Sequence, residues 1–359
     1  MRILGVDLGR FNRLSHARLL VQETGETTAS TAPTTPEALA RLFGEQRAEM
    51  VVIEPCTASG WVADLCRSLG VRLLVANTNH PAWKWRNRSE KSDRSDAQML
   101  AQLAAMNQLE AVHVPEAGIR EWRGLIGHRA QVVRERVSIQ NRIRRICERH
   151  GVETARGKTA WTKRHILALG THAKPLAECS GVDLWRGILS SELERLDAIE
   201  QVILRLEDAL EGCSHGDPRI ARLRTIPGVG PRLAELIVAL IDDPKRFSNC
   251  RQVAAYAGLV PRRYASGETV RQGRIDKQGN RLLRAYLVEV SWLCVRHNAW
   301  ARATFQRLNG TSKKGKRRAV VALARLLLIR CWAMLRDGSD WREPSPTATE
   351  AVVETTMIT

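Results

Sequence analysis

From Ile119 to His150 the chain runs without a proline, and Leu125, Val132, Ile139 and Ile146 recur every seven residues. Trp122, Ile126, Val133 and Ile143 widen that apolar stripe. A long α-helix is the local structure that brings such positions to one side. A second stretch repeats the spacing at Leu189, Leu196, Ile203 and Leu210, with Leu193, Ile199 and Leu206 beside it. Helices of this kind must bury their stripes against each other or against another chain, so 117–218 is predicted as a helical, coiled-coil region. A hairpin within the chain and an oligomerising coil both satisfy that demand. The irregular, glycine-containing segment 151–187 is read as the connection between the two helices.

Ahead of this region, in 1–116, the apolar runs are short and alternate in type. Arg2–Leu8 and Ser15–Val21 read as two strands of a hairpin-like start, Met50–Glu54 and Val71–Ala76 as further strands. Pro36–Glu45, Ser59–Ser68 and Asp93–Met106 carry helical patterns. Strands and helices in alternation predict a mixed α/β sheet.

The region 219–338 reads as mostly α. In Thr225-Ile-Pro-Gly228-Val-Gly230-Pro, set between helical patterns, the glycines have the look of a helix-hairpin-helix whose backbone N–H groups can approach a phosphate. An ordinary helix–helix turn is the alternative. Residues 255–281 read as a helix end, a proline stop and a Gly-rich basic loop leading to another helix. Ala319–Leu335 contains Arg325 and Arg330 and is too short for a comfortable membrane span, so it is predicted as a buried amphipathic helix. The last segment, 339–359, is rich in Thr, Pro and acids and is predicted as a disordered tail.

The charge balance narrows the partner. Lys and Arg number 56 against 38 Asp and Glu, a net charge of +18. Such an excess attracts a polyanion, and nucleic acid leads because each neutralised phosphate releases counterions. The eight cysteines are scattered with no Cys-x-x-Cys pair, which argues against a zinc site or a disulfide framework and fits a reducing cytoplasm. The N-terminus enters a strand pattern directly rather than a basic stretch followed by an apolar run, so no secretory leader is expected. A cytoplasmic protein without a membrane partner, at the nucleoid when bound to DNA, is the expectation.

Four acids stand out by placement. Asp7 ends the first strand, Glu54 ends another, and Asp93 and Asp96 open a helix three residues apart, on one face of it. Together at strand ends they would form the all-oxygen pocket that a hard cation such as Mg²⁺ prefers. Two carboxylates ~4 Å apart repel by about 4 kcal/mol at an effective dielectric of 20, so four of them need a cation. Taken singly, Asp93 and Asp96 can cap their helix and Glu54 can face solvent. Asp7 follows the apolar Ile3-Leu-Gly-Val6 and needs a partner.

Strand–Asp7, strand–Glu54 and Lys91-Ser-Asp93-Arg-Ser-Asp96-Ala resemble the DEDD centre of a RuvC-like, ribonuclease-H-type domain. The Lys-Ser-Asp-Arg-Ser-Asp-Ala run is similar to the signature of the insertion sequence one-ten family of transposases, which a bridge RNA guides. The likeness covers nearly the whole chain: a RuvC-like part, a helical middle and a C-terminal transposase domain. It continues in Ala255-Tyr-Ala-Gly-Leu-Val-Pro-Arg262-Arg263-Tyr-Ala-Ser266-Gly267 and in Arg271-Gln-Gly-Arg274-Ile-Asp-Lys277-Gln-Gly-Asn-Arg281.

The resemblance implies that Ser266, in the Tyr-x-Ser-Gly motif, attacks a phosphodiester and forms a phosphoserine link. A serine hydroxyl needs a base or a metal to activate it, and no histidine lies near Ser266 in sequence. Mg²⁺ on the four acids, with Mn²⁺ as an alternative, would serve, which requires the two regions to meet at one site. Arg262, Arg263, Arg271, Arg274 and Lys277 are expected to hold the nucleic-acid backbone. The run Ser312-Lys313-Lys314-Gly-Lys316-Arg317-Arg318 reads as a second phosphate clamp, with a solvated loop as its plain alternative.

The reading is therefore a transposase that cuts and rejoins double-stranded donor and target DNA. The resemblance adds a structured bridge RNA and a homo-oligomer, a dimer or tetramer. Two rivals stand beside it: a metal-dependent nuclease that uses water, and a non-catalytic nucleic-acid-binding protein.

Overall fold

The structure, a computed structural model, describes residues 1–78, 93–266, 269–310 and 315–343, with the backbone alone described at Lys158 and in 263–266 and 269–272. The tail from 344 on, together with Lys91, Gly267, Lys313 and Lys314, lies outside the described residues, as do the side chains of Arg263, Ser266 and Arg271. The chain divides into two compact units, Met1–Glu121 and Trp122–Thr359.

The first unit is a mixed α/β layer. Its strands are β1 (Arg2–Asp7), β2 (Leu14–Val21), β3 (Thr27–Pro33), β4 (Met50–Ile53) and β5 (Arg72–Val75), in the spatial order β3-β2-β1-β4-β5. β1 and β2 pair antiparallel, as do β2 and β3, whereas β1–β4 and β4–β5 are parallel. The helices α1 (Pro36–Glu45) and α2 (Ser59–Ser68) cover one face. Leu4, Val6, Val51 and Ile53 from that face pack with Leu39, Phe43 and Val62. Thr35 caps α1, its hydroxyl accepting from the Ala38 amide, and Pro36 opens the first turn where a missing N–H costs nothing.

The opposite face belongs to α3 (Asp93–Ala105). Its Leu100, Ala101 and Ala104 pack on Ile3, Met50 and Val52. The predicted elements of 1–116 appear at nearly the expected limits. β3 was not expected: Thr27-Thr-Ala-Ser-Thr-Ala-Pro33 has no apolar alternation, and it becomes a strand by pairing along β2 at the sheet edge.

The Arg-rich stretch forms α4 (Ala117–Arg149), which belongs to the second unit from Trp122 on, and the later repeat forms α6 (Leu184–Ser214). All four heptad residues of α6, Leu189, Leu196, Ile203 and Leu210, are buried. Burying each is worth about 2 kcal/mol. Leu189 and Leu196 pack with Ile139, Ile143 and Cys147 of α4. Arg129 pairs with Glu207, and Arg142 with Glu192 at 3.0 Å. Rising numbers on one helix against falling numbers on the other make this an antiparallel hairpin, so these stripes find partners within the chain. The segment 151–187 is not merely a connection: it holds α5 (Lys163–Gly170), whose Leu169 enters the same cluster, and the start of α6.

The remainder is mostly helical: α7 (Pro218–Arg224), α8 (Pro231–Ile241), α9 (Cys250–Tyr256), α10 (Arg281–His297), α11 (Ala299–Asn309) and α12 (Lys316–Asp337). α12 is the expected buried helix, and α8 is buried from Leu233 to Ile241. The C-terminal carbonyls of α8 have two arginine caps. Arg123 donates to Ala239 and Leu240, and Arg246 donates to Leu240 and Ile241, at 2.7 to 3.1 Å. Part of the arginine surplus thus closes helix ends rather than facing a polyanion. Among the described residues no helix is long and apolar enough to cross a membrane.

One expectation is corrected outright. The Gly-rich basic loop of 255–281 is a two-stranded sheet, β6 (Pro261–Ser266) against β7 (Thr269–Ile275). Between the paired Ser266 and Thr269 the sequence is Gly-Glu, the Gly-x pair that two-residue hairpin loops favour.

Candidate functional site

Strand register brings the first two acids together. β1 and β4 run parallel with Val6 opposite Ile53, so the next residues, Asp7 at the end of β1 and Glu54 just past β4, stand side by side. Side chains alternate along a strand, which puts Asp7 on the same face as Ile3 and Gly5, the face that α3 covers.

Gly5 decides how close α3 can come. A β-carbon there would overlap the Ala97 carbonyl oxygen and lie 2.7 Å from the Ala101 amide nitrogen. With no side chain in the way, the α3 backbone lies directly on β1. The first turn of α3, with Asp93 and Asp96, then reaches the C-terminal end of the strand. Asp96 is buried and Asp93 is exposed.

The electrostatics record this convergence. The Asp7 carboxyl is pushed up from its ordinary 3.8 to about 6, first by burial, then by the charges of Asp93, Asp96 and Glu54. His16 opposes the rise. It stands directly across from Asp7 on β2, and its Nε2 lies 3.9 Å from an Asp93 carboxylate oxygen. The other three acids of the sequence reading therefore bear on Asp7 from the end of β4 and from the first turn of α3.

The donor chemistry fits a hard divalent cation: four carboxylates, no sulfur, and a net negative field. Among the described residues, no three or more His, Cys, Asp or Glu side chains close into an ion-sized cage.

Sequence reasoning passed over Gly5 and His16. A signal for the first was available, since glycine inside a strand marks the close approach of another backbone. His16 had none, because its role follows from β1–β2 pairing.

In the second unit the sequence candidates sit on a small, well-anchored hairpin. Ser266 pairs with Thr269 at the far end of β6–β7. At the near end, the Asp276 amide donates to the Val260 carbonyl at 2.8 Å and the Asn280 amide to the Tyr256 carbonyl at 2.8 Å. Arg284 of α10 donates to the carbonyls of Ala257 at 2.9 Å and Gly279 at 3.4 Å. A β-carbon on Gly279 would overlap the Gly258 amide, so the two segments touch backbone to backbone. Arg262 is 3.4 Å from Asp276, while Arg274 and Lys277 are exposed. Lys277 takes a left-handed backbone at φ 64°. Lys316 and Arg317 are exposed in the first turn of α12.

The glycine-rich turn joins α7 to α8, as a helix-hairpin-helix requires. Its glycines differ in use. Gly228, at φ 97°, packs against α10, where an added β-carbon would come 3.0 Å from the Cys294 backbone. Gly230 precedes α8 and opens onto free space.

Comparison with known proteins bears on both units. A family model described as a transposase of the DEDD, IS110 type matches residues 4–150, and one described as the transposase IS116/IS110/IS902 family matches residues 220–306. A probable family 20 transposase of Pseudomonas aeruginosa is 29% identical over 304 residues, covering 82% of this chain and 86% of that protein. The transposase for insertion sequence element IS1111A of Coxiella burnetii is 27% identical, covering 81% of this chain and 79% of its own. A pilin gene-inverting protein of Moraxella lacunata is 29% identical over 121 residues, 33% of this chain and 38% of that protein.

Proposed function

Because the chain belongs to the IS110 family of transposases, we propose that it cuts and rejoins DNA with Asp7, Glu54, Asp93 and Asp96 as metal ligands and Ser266 as nucleophile. The observation that carries the reading is the convergence itself. Strand register sets Asp7 beside Glu54, and α3 laid on Gly5 brings Asp93 and Asp96 to the same strand end. The Asp7 carboxyl is pushed up to about 6, first by burial and then by the charges of the other three. Four carboxylates at one strand end repel one another, a cost that a bound cation offsets. The sheet order, with β2 alone running against the other four strands, supports the ribonuclease-H-type reading of this unit.

A divalent ion such as Mg²⁺, when bound by these carboxylates, supplies Lewis acidity and neutralises charge on the phosphoryl oxygens. The protein's own residues do the rest. The Ser266 oxygen attacks phosphorus, its proton leaves, and the departing DNA oxygen takes up a proton as a hydroxyl. One phosphodiester becomes one phosphoserine ester, so the bond is conserved for rejoining by the reverse attack. The gene-inverting relative is named for a reaction that needs both cutting and rejoining, and that favours a covalent intermediate over hydrolysis.

Arg262, Arg263, Arg271, Arg274 and Lys277, carried on the hairpin or at its base, grip the DNA backbone beside Ser266. Lys313, Lys314, Lys316 and Arg317 serve as a second clamp, and the Gly228–Gly230 turn presents backbone N–H groups to a phosphate. Domain limits at 1–116, 117–218 and 219–338 divide these tasks. A bridge RNA that pairs with donor and target DNA reads sequence while protein reads backbone, and the working form is a dimer or tetramer.

The test is a covalent-adduct assay. The full chain is incubated with the DNA flanking its gene and Mg²⁺, denatured, digested and searched by mass spectrometry for a nucleotide on Ser266. An adduct that disappears in Ser266→Ala and in Asp7→Ala is expected. Cutting that survives in Ser266→Ala without any adduct would replace this reading with a nuclease that uses water.

A further inference from the structure

On the α3 face of the sheet, charge changes sign from β1 to β2. Asp7 of β1 stands opposite His16 of β2, which stands opposite Thr31 of β3; one row along, Gly5 stands opposite Arg18, which faces Ala29. Paired residues share a face, so a row of one acid, one imidazole and one hydroxyl crosses the sheet beside a row holding a guanidinium. Among the described residues, α3 packs on β1 and β2 rather than on β3. There a groove of about 350 Å³ lies between β2, β3 and the start of α3, lined by His16, Arg18, Thr31 and Arg94 among others.

The lining is that of an anion site. Arg18 is half-buried against the sheet, Arg94 and Thr31 are exposed, and neither arginine has a carboxylate partner among the described residues. Neighbouring strands are about 4.8 Å apart, which puts Thr31 about 10 Å from Asp7, a few nucleotides along a DNA strand at about 3.4 Å each. The acids themselves repel DNA. A strand drawn to them must be held by cations close by, on a surface that does not neutralise the metal-binding carboxylates.

The geometry points to this groove as a phosphate subsite for the DNA strand that is cut, with Arg18 as its fixed guanidinium, Arg94 overhanging it and the Thr31 hydroxyl as donor. It deepens the assignment of the four acids and rests on it. Arg18 suits the part because it is half-buried on a paired strand, so less freedom is lost when its fork meets a phosphate than from a fully exposed side chain. His16 links the two sites, since it touches Asp93 and lines the groove.

Methylphosphonate interference tests the subsite. Single phosphates within a few nucleotides of the cut are replaced, one at a time, by neutral methylphosphonates in a duplex bearing the element's own end. Binding and cutting by the full chain are then measured. For the unaltered protein, one position should lower both about tenfold, the size of one charge-assisted contact. Arg18→Gln should show the same tenfold loss on the natural duplex and no further loss at that position, while Arg18→Lys keeps part of both.

A methylphosphonate penalty that is undiminished in Arg18→Gln at every position overturns the subsite and leaves Arg18 a solubilising charge near a sheet edge. Unfolding curves for Arg18→Gln separate loss of contact from loss of fold. Asp7→Asn separates the two readings. If it cuts like the unaltered chain, the acids are not the cutting site, and the binding arm alone then decides whether Arg18 holds a phosphate.

Discussion

Asp7 and Ser266 both end a β-strand, yet the two strand ends are held in opposite ways. β1 is the central strand of five, with helices on both faces, and Asp7 takes its position from a register shared with β4 and from a helix laid on Gly5. β6 belongs to a two-stranded sheet with Ser266 at its far end, and its described anchors are at its base. Isolated two-stranded hairpins are marginal in water. The acid centre is thus a product of packing, and the serine strand a product of a clamp. The first should tolerate little change in its layers, whereas the second should tolerate change along the hairpin but not at its root.

Four experiments break or sharpen that contrast, in falling order of effect. Gly5→Val should be the most damaging, since the new side chain must push α3 off β1. A loss of about 3 kcal/mol in urea unfolding is expected, with cutting reduced more than a hundredfold. A folded, active Gly5→Val chain would mean that α3 need not touch the strand.

Gly279→Ala attacks the root of the hairpin, where the β-carbon would meet the Gly258 amide. Formation of the serine adduct should fall about a hundredfold. Hydrogen exchange should speed up across 261–275, with β1 and β4 protected as before. Protection lost equally in both sheets would erase the contrast.

Arg284→Met removes the donor to Ala257 and Gly279 but keeps the length of the side chain. About 2 kcal/mol of local stability should go, and adduct formation should drop about tenfold, with a partial return in Arg284→Lys. An unchanged adduct rate would show that the backbone hydrogen bonds hold the hairpin unaided.

The smallest effect is on stability and depends on pH. With its carboxyl raised from 3.8 to about 6, Asp7 binds a proton better in the fold than in the unfolded chain. Without divalent ions the fold therefore keeps this contribution below pH about 4 and loses it as pH rises through about 6. Asp7→Asn should raise metal-free stability at pH 7 by about 1 kcal/mol, because solvent screens a half-buried group, and should change nothing near pH 3. Added Mg²⁺ should stabilise the unaltered chain more at pH 7 than at pH 5, and Asp7→Asn little at either. A destabilised Asp7→Asn at pH 7 would mean that the carboxylate is satisfied within the fold.

Much of this was legible in the residues. The limits of α1 and α2 and the opening of α3 at Asp93 follow from caps, proline and helical period. The seven-residue repeat of Leu189, Leu196, Ile203 and Leu210 told which side of α6 is buried. Asp7, Glu54, Asp93 and Asp96 stood out because charge at the end of an apolar strand, or paired in a first turn, is uncommon. β3 was not legible, since a Thr-rich stretch is a strand only with β2 beside it. Nor was α5, too short for its period to speak. The hairpin of 261–275 was missed although Gly-Glu between strand-length segments was there to be read.

By itself, then, the sequence determined the longer helices, the core strands and the placing of four acids at strand and helix ends, because capping, periodicity and side-chain type act within a few residues. Tertiary structure alone decided that the Asp7 carboxyl should be pushed up, that His16 should face it, that Gly5 should admit α3, and that Arg284 should hold the root of the serine hairpin. Those outcomes depend on which residues stand opposite one another after distant segments pair. Register and close approach are properties of two strands or of a strand and a helix, and no single stretch of chain contains them.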